Sequence, residues 1–384
     1  MERRTFATIG GIAIVVIGVF LGYKNFYRNV GAPVLFQPEA QMLTQATNPK
    51  ADLAKTSSSA AFHASLPYAY TKNACGAGVP AAGLCLETFY AALVKKYGVD
   101  AAVQDIKRRY GENPAVVAQC HPLMHVIGRT ASALYPTISD AYRHGDNFCW
   151  SGYYHGILEG VIARIGKKNL PAKLDTICAD IPGKATYNFD YYNCVHGLGH
   201  GIMEALGDEV FQSLAMCDNL TGDWERQSCY SGVFMENIIA YDRDGISDFL
   251  KPSDPLYPCD AVAEPYKAQC YLGQTSYVLQ ISNYNFKTIF NLCAGAVEPY
   301  RDICNQSAGR DAANQALHDT EKTKATCSFP VDPNDRANCV TGAVKEIISY
   351  YHSEDQAKQF CGALNYNDQS ECLATADSYY TAFR

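Results

Sequence analysis

Basic residues are in short supply. The 384-residue chain has 32 lysines and arginines against 39 acidic residues, a formal net charge of −7, and only 18% of its residues are charged. That balance offers no whole-chain attraction to nucleic-acid phosphates or anionic lipid headgroups, so nucleic acid is not an expected partner. Common catalytic signatures are missing as well. There is no H-E-x-x-H helix, no G-x-S-x-G nucleophile turn and no glycine-rich phosphate loop, which leaves the hydrolases and nucleotide enzymes built on them without support. Cys120-His121 lacks the first cysteine of the C-x-x-C-H pattern, which argues against covalent haem. Histidine is scarce, at nine residues.

Hydrophobic residues make up 48% of the chain, enough for a sizeable core in one large domain or two. Met1-Glu2-Arg3-Arg4 precedes an uncharged run from Phe6 to Tyr23. This run is long enough to cross a bilayer and has no A-x-A-like cleavage site close behind it. The expectation is a cytoplasmic N-terminus at 1–5, an uncleaved transmembrane signal anchor at 6–23 and a tether at 24–66, where Pro33, Pro38, Pro49 and Ser57-Ser58-Ser59 lie. Sixteen cysteines are hard to reconcile with a reducing cytosol. The chain therefore reads as a single-pass cell-membrane protein with its C-terminal domain on the extracytoplasmic side, the membrane being a partner through the N-terminal helix. Asn219-Leu-Thr221 and Asn305-Gln-Ser307 fit the glycosylation pattern.

The cysteines recur in pairs. Cys178/Cys194, Cys217/Cys229, Cys259/Cys270, Cys293/Cys304, Cys327/Cys339 and Cys361/Cys372 are separated by 11 to 16 residues, and their second members are 33 to 41 apart. That period belongs to helix-pair arrays. The predicted fold is all-α: αα-hairpin repeats forming a solenoid, each stapled by a disulfide, with a second helix opening at the second cysteine. Repeats at 67–210 carry the histidines, and 211–384 continue the stapled array. Glycine commonly stands three residues after that cysteine, at Gly152, Gly197, Gly232, Gly273 and Gly342, where neighbouring helices could approach closely. The plan resembles the disulfide-stapled Sel1-like and tetratricopeptide helix-pair repeats. That resemblance implies a scaffold whose concave face binds a protein or peptide.

Cys75 and Cys85 make another short pair, leaving Cys120 and Cys149 without close partners. Both fit the opening of second helices in adjacent repeats, so a Cys120–Cys149 disulfide is predicted. It would gather three segments: Cys120-His121-Pro-Leu-Met-His125, Cys149 through His155 to Glu159, and Cys194-Val-His196-Gly-Leu-Gly-His200 through Glu204. Spacings of four place side chains on one helical face, as metal-binding helices require. His155 and His200 share offset six from their cysteines, and Glu159 and Glu204 share offset ten; Met235 and Ser276 break the pattern at offset six.

The predicted ligands are His121, His125, His155, Glu159, His196, His200 and Glu204, a set suited to two ions of iron, copper, manganese or zinc. Glu204 is the candidate catalytic base, because His196 and His200 already supply ligands from its helix. In idea the set is similar to helical-repeat hydroxylases that hold two irons between His-Glu pairs, although the adjacent His-Glu dipeptide of that family is absent. The expected function is a metal-dependent oxidoreductase or hydrolase, with metal storage or delivery, or a binding scaffold, as alternatives. His63, His144, His318 and His352 are expected to be ordinary structural or surface residues.

Overall fold

The computed structural model describes residues 79–383, except 111–115, 117–118, 147, 150, 245–246 and 352. The expected transmembrane anchor and tether, Cys75, His63 and His352 lie outside the described residues. Among those described, no helix is long and apolar enough to cross a membrane.

The described chain is all-α, with only an isolated β-bridge between Lys251 and Asp254. Its helices are α1 (Val79–Tyr97), α2 (Val99–Tyr110), α3 (Cys120–Ala131), α4 (Ile138–Tyr142), α5 (Gly152–Ile165), α6 (Leu174–Ile177), α7 (Phe189–Leu206), α8 (Val210–Cys217) and α9 (Asp223–Asp244). They continue with α10 (Glu264–Ile281), α11 (Phe286–Ala294), α12 (Tyr300–Gln315), α13 (Thr320–Cys327), α14 (Pro333–Tyr351), α15 (Asp355–Gly362) and α16 (Tyr366–Phe383). Local sequence sets many of the boundaries. The side chains of Asn188, Asn285 and Asp319 accept backbone N–H groups at the starts of α7, α11 and α13, and proline stands in the first turn of α10. Gly166 and Gly207, both with positive φ, end α5 and α7.

The long helices pack in chain order as a ladder, α1 on α3, then α5, α7, α9, α10, α12, α14 and α16. Short helices α8, α11, α13 and α15 each lie against the long helices before and after them. Six disulfides staple the successive units with the pairing read from the spacing. Each closes a short loop, worth about 3 kcal/mol in the chain-entropy model. The seventh joins Cys120 to Cys149, linking the starts of α3 and α5 as predicted. Cys85 is also disulfide-bonded.

Two details correct the sequence reading. The second helix of a unit generally begins a turn before its cysteine, since Cys194, Cys229, Cys270, Cys304 and Cys339 all lie inside α7, α9, α10, α12 and α14. Only α3 opens at the cysteine itself, and α5 opens after it because Cys149 and Ser151 have positive φ. In addition, the long interval between Cys229 and Cys270 holds a run of turns after α9 in place of a short helix.

Glycines set how closely the rungs approach. A Cβ on Gly156 of α5 would run into the backbone of His125 on α3, and one on Gly128 would meet Tyr153 and Gly156. Gly199 and Gly232 repeat the arrangement between α7 and α9. Backbone contact at these two crossings brings the histidine-bearing faces together. Of the two glycosylation sequons, Asn219 is exposed, whereas Asn305 is buried with its amide donating to the Arg301 carbonyl and the Asp335 carboxylate. Asn305 therefore carries no glycan in this fold.

Candidate metal centre

The two close crossings face each other across α5 and α7, and the five clustered histidines meet between them. His121 and His125 come from α3, His155 and Glu159 from α5, His196 and His200 from α7, and Glu236 from α9. None of these seven is more than 5% exposed. Three groups bring donor atoms within 4.8 Å of one another: His121/His125/His155, His155/His196/His200 and His125/Glu159/Glu236.

Glu204, expected as ligand and base, does not join them. It lies exposed in the last turn of α7, near enough to Arg129 to help raise its pKa. Its place in the pattern is taken by Glu236, which sequence reasoning missed. A signal was available. His125 and Glu159, which bond each other, are 34 residues apart, and a step of similar length, 36 residues, leads from His200 to Glu236.

Each of the four paired histidines has Nδ1 within hydrogen-bond distance of an oxygen. His121 Nδ1 lies 2.7 Å from the Cys149 carbonyl oxygen, which can only accept, so this nitrogen carries the proton. His125 Nδ1 donates to the Glu159 carboxylate, whose other oxygen takes Arg129 at 2.5 Å. In the second pair, His200 Nδ1 donates to Glu236 at 2.7 Å. His196 Nδ1 lies 2.8 Å from Ser231 Oγ and 3.2 Å from the Tyr192 hydroxyl.

A neutral ring with its proton on Nδ1 turns an Nε2 lone pair toward its partner. The Nε2 atoms of His121 and His125 are 2.8 Å apart, and those of His196 and His200 are 3.1 Å apart. Two imidazole nitrogens about 2.0–2.1 Å from one ion would stand at such a separation. The carboxylates fill the outer role common to metal-bound histidine, holding ring orientation and tautomer. Met235 adds a sulfur 3.4 Å from His196 Nε2.

Electrostatics favour neutral imidazoles at four of the five histidines. Burial, reinforced by the neighbouring rings, holds His121, His155 and His200 well below their usual range, and burial brings His196 down to about 3. Burial alone would push Glu159 up, but His125 and Arg129 outweigh it and bring the carboxyl to about 2. Remote from the site, buried His318 stacks on Tyr350 with centroids 4.0 Å apart and is lowered to about 4. His144 stacks on Tyr135 at the surface.

Histidines depressed in the folded state bind protons more readily once unfolded, at their ordinary 6.5. Their contribution to stability is whole above pH 6.5 and is lost as pH falls toward 4 for His318 and 3 for His196. The urea midpoint of chelator-treated protein should thus drop on acidification from about pH 7.5 to about pH 5. An unchanged midpoint would show that these rings are not buried in neutral form.

Along the remaining rungs the offset-six and offset-seven positions change character, to Ser276/Tyr277, Arg310/Asp311 and Lys345/Glu346. Arg310 is 1% exposed and donates to Asp311, to Ser276 Oγ at 2.7 Å and to the Leu272 carbonyl at 2.6 Å. Among the described residues, grouped metal donors are confined to the N-terminal rungs. No family model, curated protein or solved structure matches this chain.

Proposed function

We propose that this chain is a membrane-anchored, extracytoplasmic metalloprotein that holds transition-metal ions at the His121/His125 and His196/His200 pairs. The observation that carries the reading is the convergence of five buried histidines in two donor groups, with Nε2 atoms 2.8 Å apart in one pair and 3.1 Å apart in the other. An inner set of imidazoles with carboxylates behind them suits copper or zinc better than manganese, and the Met235 thioether shifts the preference to copper. Bound copper would supply one-electron chemistry. Electrons reach a buried ion more easily than a hydrolysable substrate does, so we assign an oxidoreductase role ahead of hydrolysis. Metal storage or delivery is the second reading, favoured by the nearly complete burial of the donors.

Elemental analysis of the full chain, produced in an oxidising compartment with copper and zinc supplied, should find one or two retained equivalents. Protein that stays metal-free under those conditions overturns the proposal. A paired substitution tests the outer carboxylate. Glu236→Gln should weaken metal affinity about 10–100-fold, the usual cost of losing an outer-shell partner, whereas Glu204→Gln should leave it unchanged. The reverse order, measured by competition with a chelator, would restore Glu204 to the site.

A further inference from the structure

His155 is built differently from its four neighbours. The others each have Nδ1 committed to a carbonyl, carboxylate or hydroxyl oxygen. His155 is 2% exposed, and neither of its ring nitrogens has a hydrogen-bond partner. The ring lies nearly parallel to His200 with centroids 4.3 Å apart, a stack from which it would turn to share an ion with that ring. It also stands between the pairs, its centroid 5.5 Å from both His121 and His125 and 5.1 Å from His196. His155 is the one residue that belongs to both three-histidine donor groups.

We infer that His155 is a ligand shared by two metal positions, one nitrogen serving the ion at His121/His125 and the other the ion at His196/His200. The inference rests on the metal-binding reading above. Sharing explains why this one imidazole lacks an outer partner: an oxygen bonded to either nitrogen would occupy the direction in which an ion must approach. The remaining pairs need no such freedom, since each binds through Nε2 alone.

The proton balance is simple. The neutral ring brings one lone pair and one N–H. The first ion takes the lone pair, and the second replaces the N–H proton, which passes to solvent; nothing is oxidised or reduced. Two ions joined by one conjugated ring are electronically coupled, and filling one position changes the other.

Copper(II) alone is the probe. The full chain is titrated with copper(II), the bound equivalents are counted by elemental analysis, a copper(I)-specific chelator verifies the oxidation state, and spins are quantified by electron paramagnetic resonance. The expected result is two equivalents of copper(II) with far fewer than two spins per molecule, because coupling through the ring pairs them. In His155→Gln, which keeps the side chain's bulk, each copper that still binds should be detected as a full, uncoupled spin. Two equivalents with two independent spins in the unaltered protein, or saturation at one equivalent, would overturn the sharing while leaving the metal site standing. Binding of no copper would instead remove the metal reading itself. The unaltered protein decides the question even if the variant does not fold.

Discussion

The double variant His121→Ala/His196→Ala is expected to lose metal almost completely while keeping its fold. These two histidines are the better choice for removal because what they leave behind is easily satisfied. His121 frees one backbone carbonyl, and His196 frees Ser231 and Tyr192, which already lie 3.4 Å apart. Removing His125 or His200 would instead take a partner from a buried carboxylate, Glu159 or Glu236, a destabilisation that confuses loss of metal with loss of structure.

Each substitution takes one nitrogen from one ion, so the loss in affinity should exceed the 10–100-fold typical of outer partners. Metal that binds only the folded state at a thousand times its dissociation constant stabilises by about 4 kcal/mol. The variant should therefore melt at the temperature of the chelator-treated parent, whether or not metal is added. Full metal content in a folded double variant would mean that the opposed ε-nitrogens are not the ligands.

The second large effect concerns packing. Gly156→Leu should destabilise the protein by about 3 kcal/mol or more, at the upper end for overpacked cores. Any Cβ at this position collides with the His125 backbone, and backbone cannot rotate aside as a side chain can. Relief requires α3 and α5 to separate, which would pull His121 and His125 away from His155 and abolish metal binding together with stability. Gly166→Ala is the control. Its φ of +75 with ψ of 146 lies in a region essentially reserved for glycine and imposes a local strain of about 1–3 kcal/mol, but the space around it is open and the site should be unaffected. Equal losses in the two variants, read from urea midpoints and metal content, would count against the close crossing as the support of the site.

Much of this was legible in the chain because disulfides and repeats leave regular marks. Cys217 and Cys229 are bridged as their spacing suggested, and the odd pair Cys120 and Cys149 was found by elimination. The five histidines were legible through helical spacing, which is a property of one helix and can be counted along it. The carboxylates were harder because their role is set between helices. Glu159 and Glu204 share an offset from cysteine, yet Glu159 lies mid-helix, covered by Arg129, and Glu204 lies in the exposed last turn of α7. Which residue on α9 faces His200 depends on the register of two packed helices, and that register is fixed by Gly199 against Gly232. The left-handed residues Cys149 and Ser151 were likewise invisible to periodicity.

Arg310 gives the two ends of the ladder different dependences. Where the N-terminal rungs would import positive charge from the medium, α12 carries its own, covalently attached and already neutralised by Asp311. In a linear array each rung answers mainly to its neighbours, so under the proposed function metal would add to the stability of α3 through α9 and leave that of α12 to α16 unchanged. Metal supply would then divide one ladder into two halves, a conditional N-terminal half whose stability follows the medium and a constant C-terminal half whose stability does not.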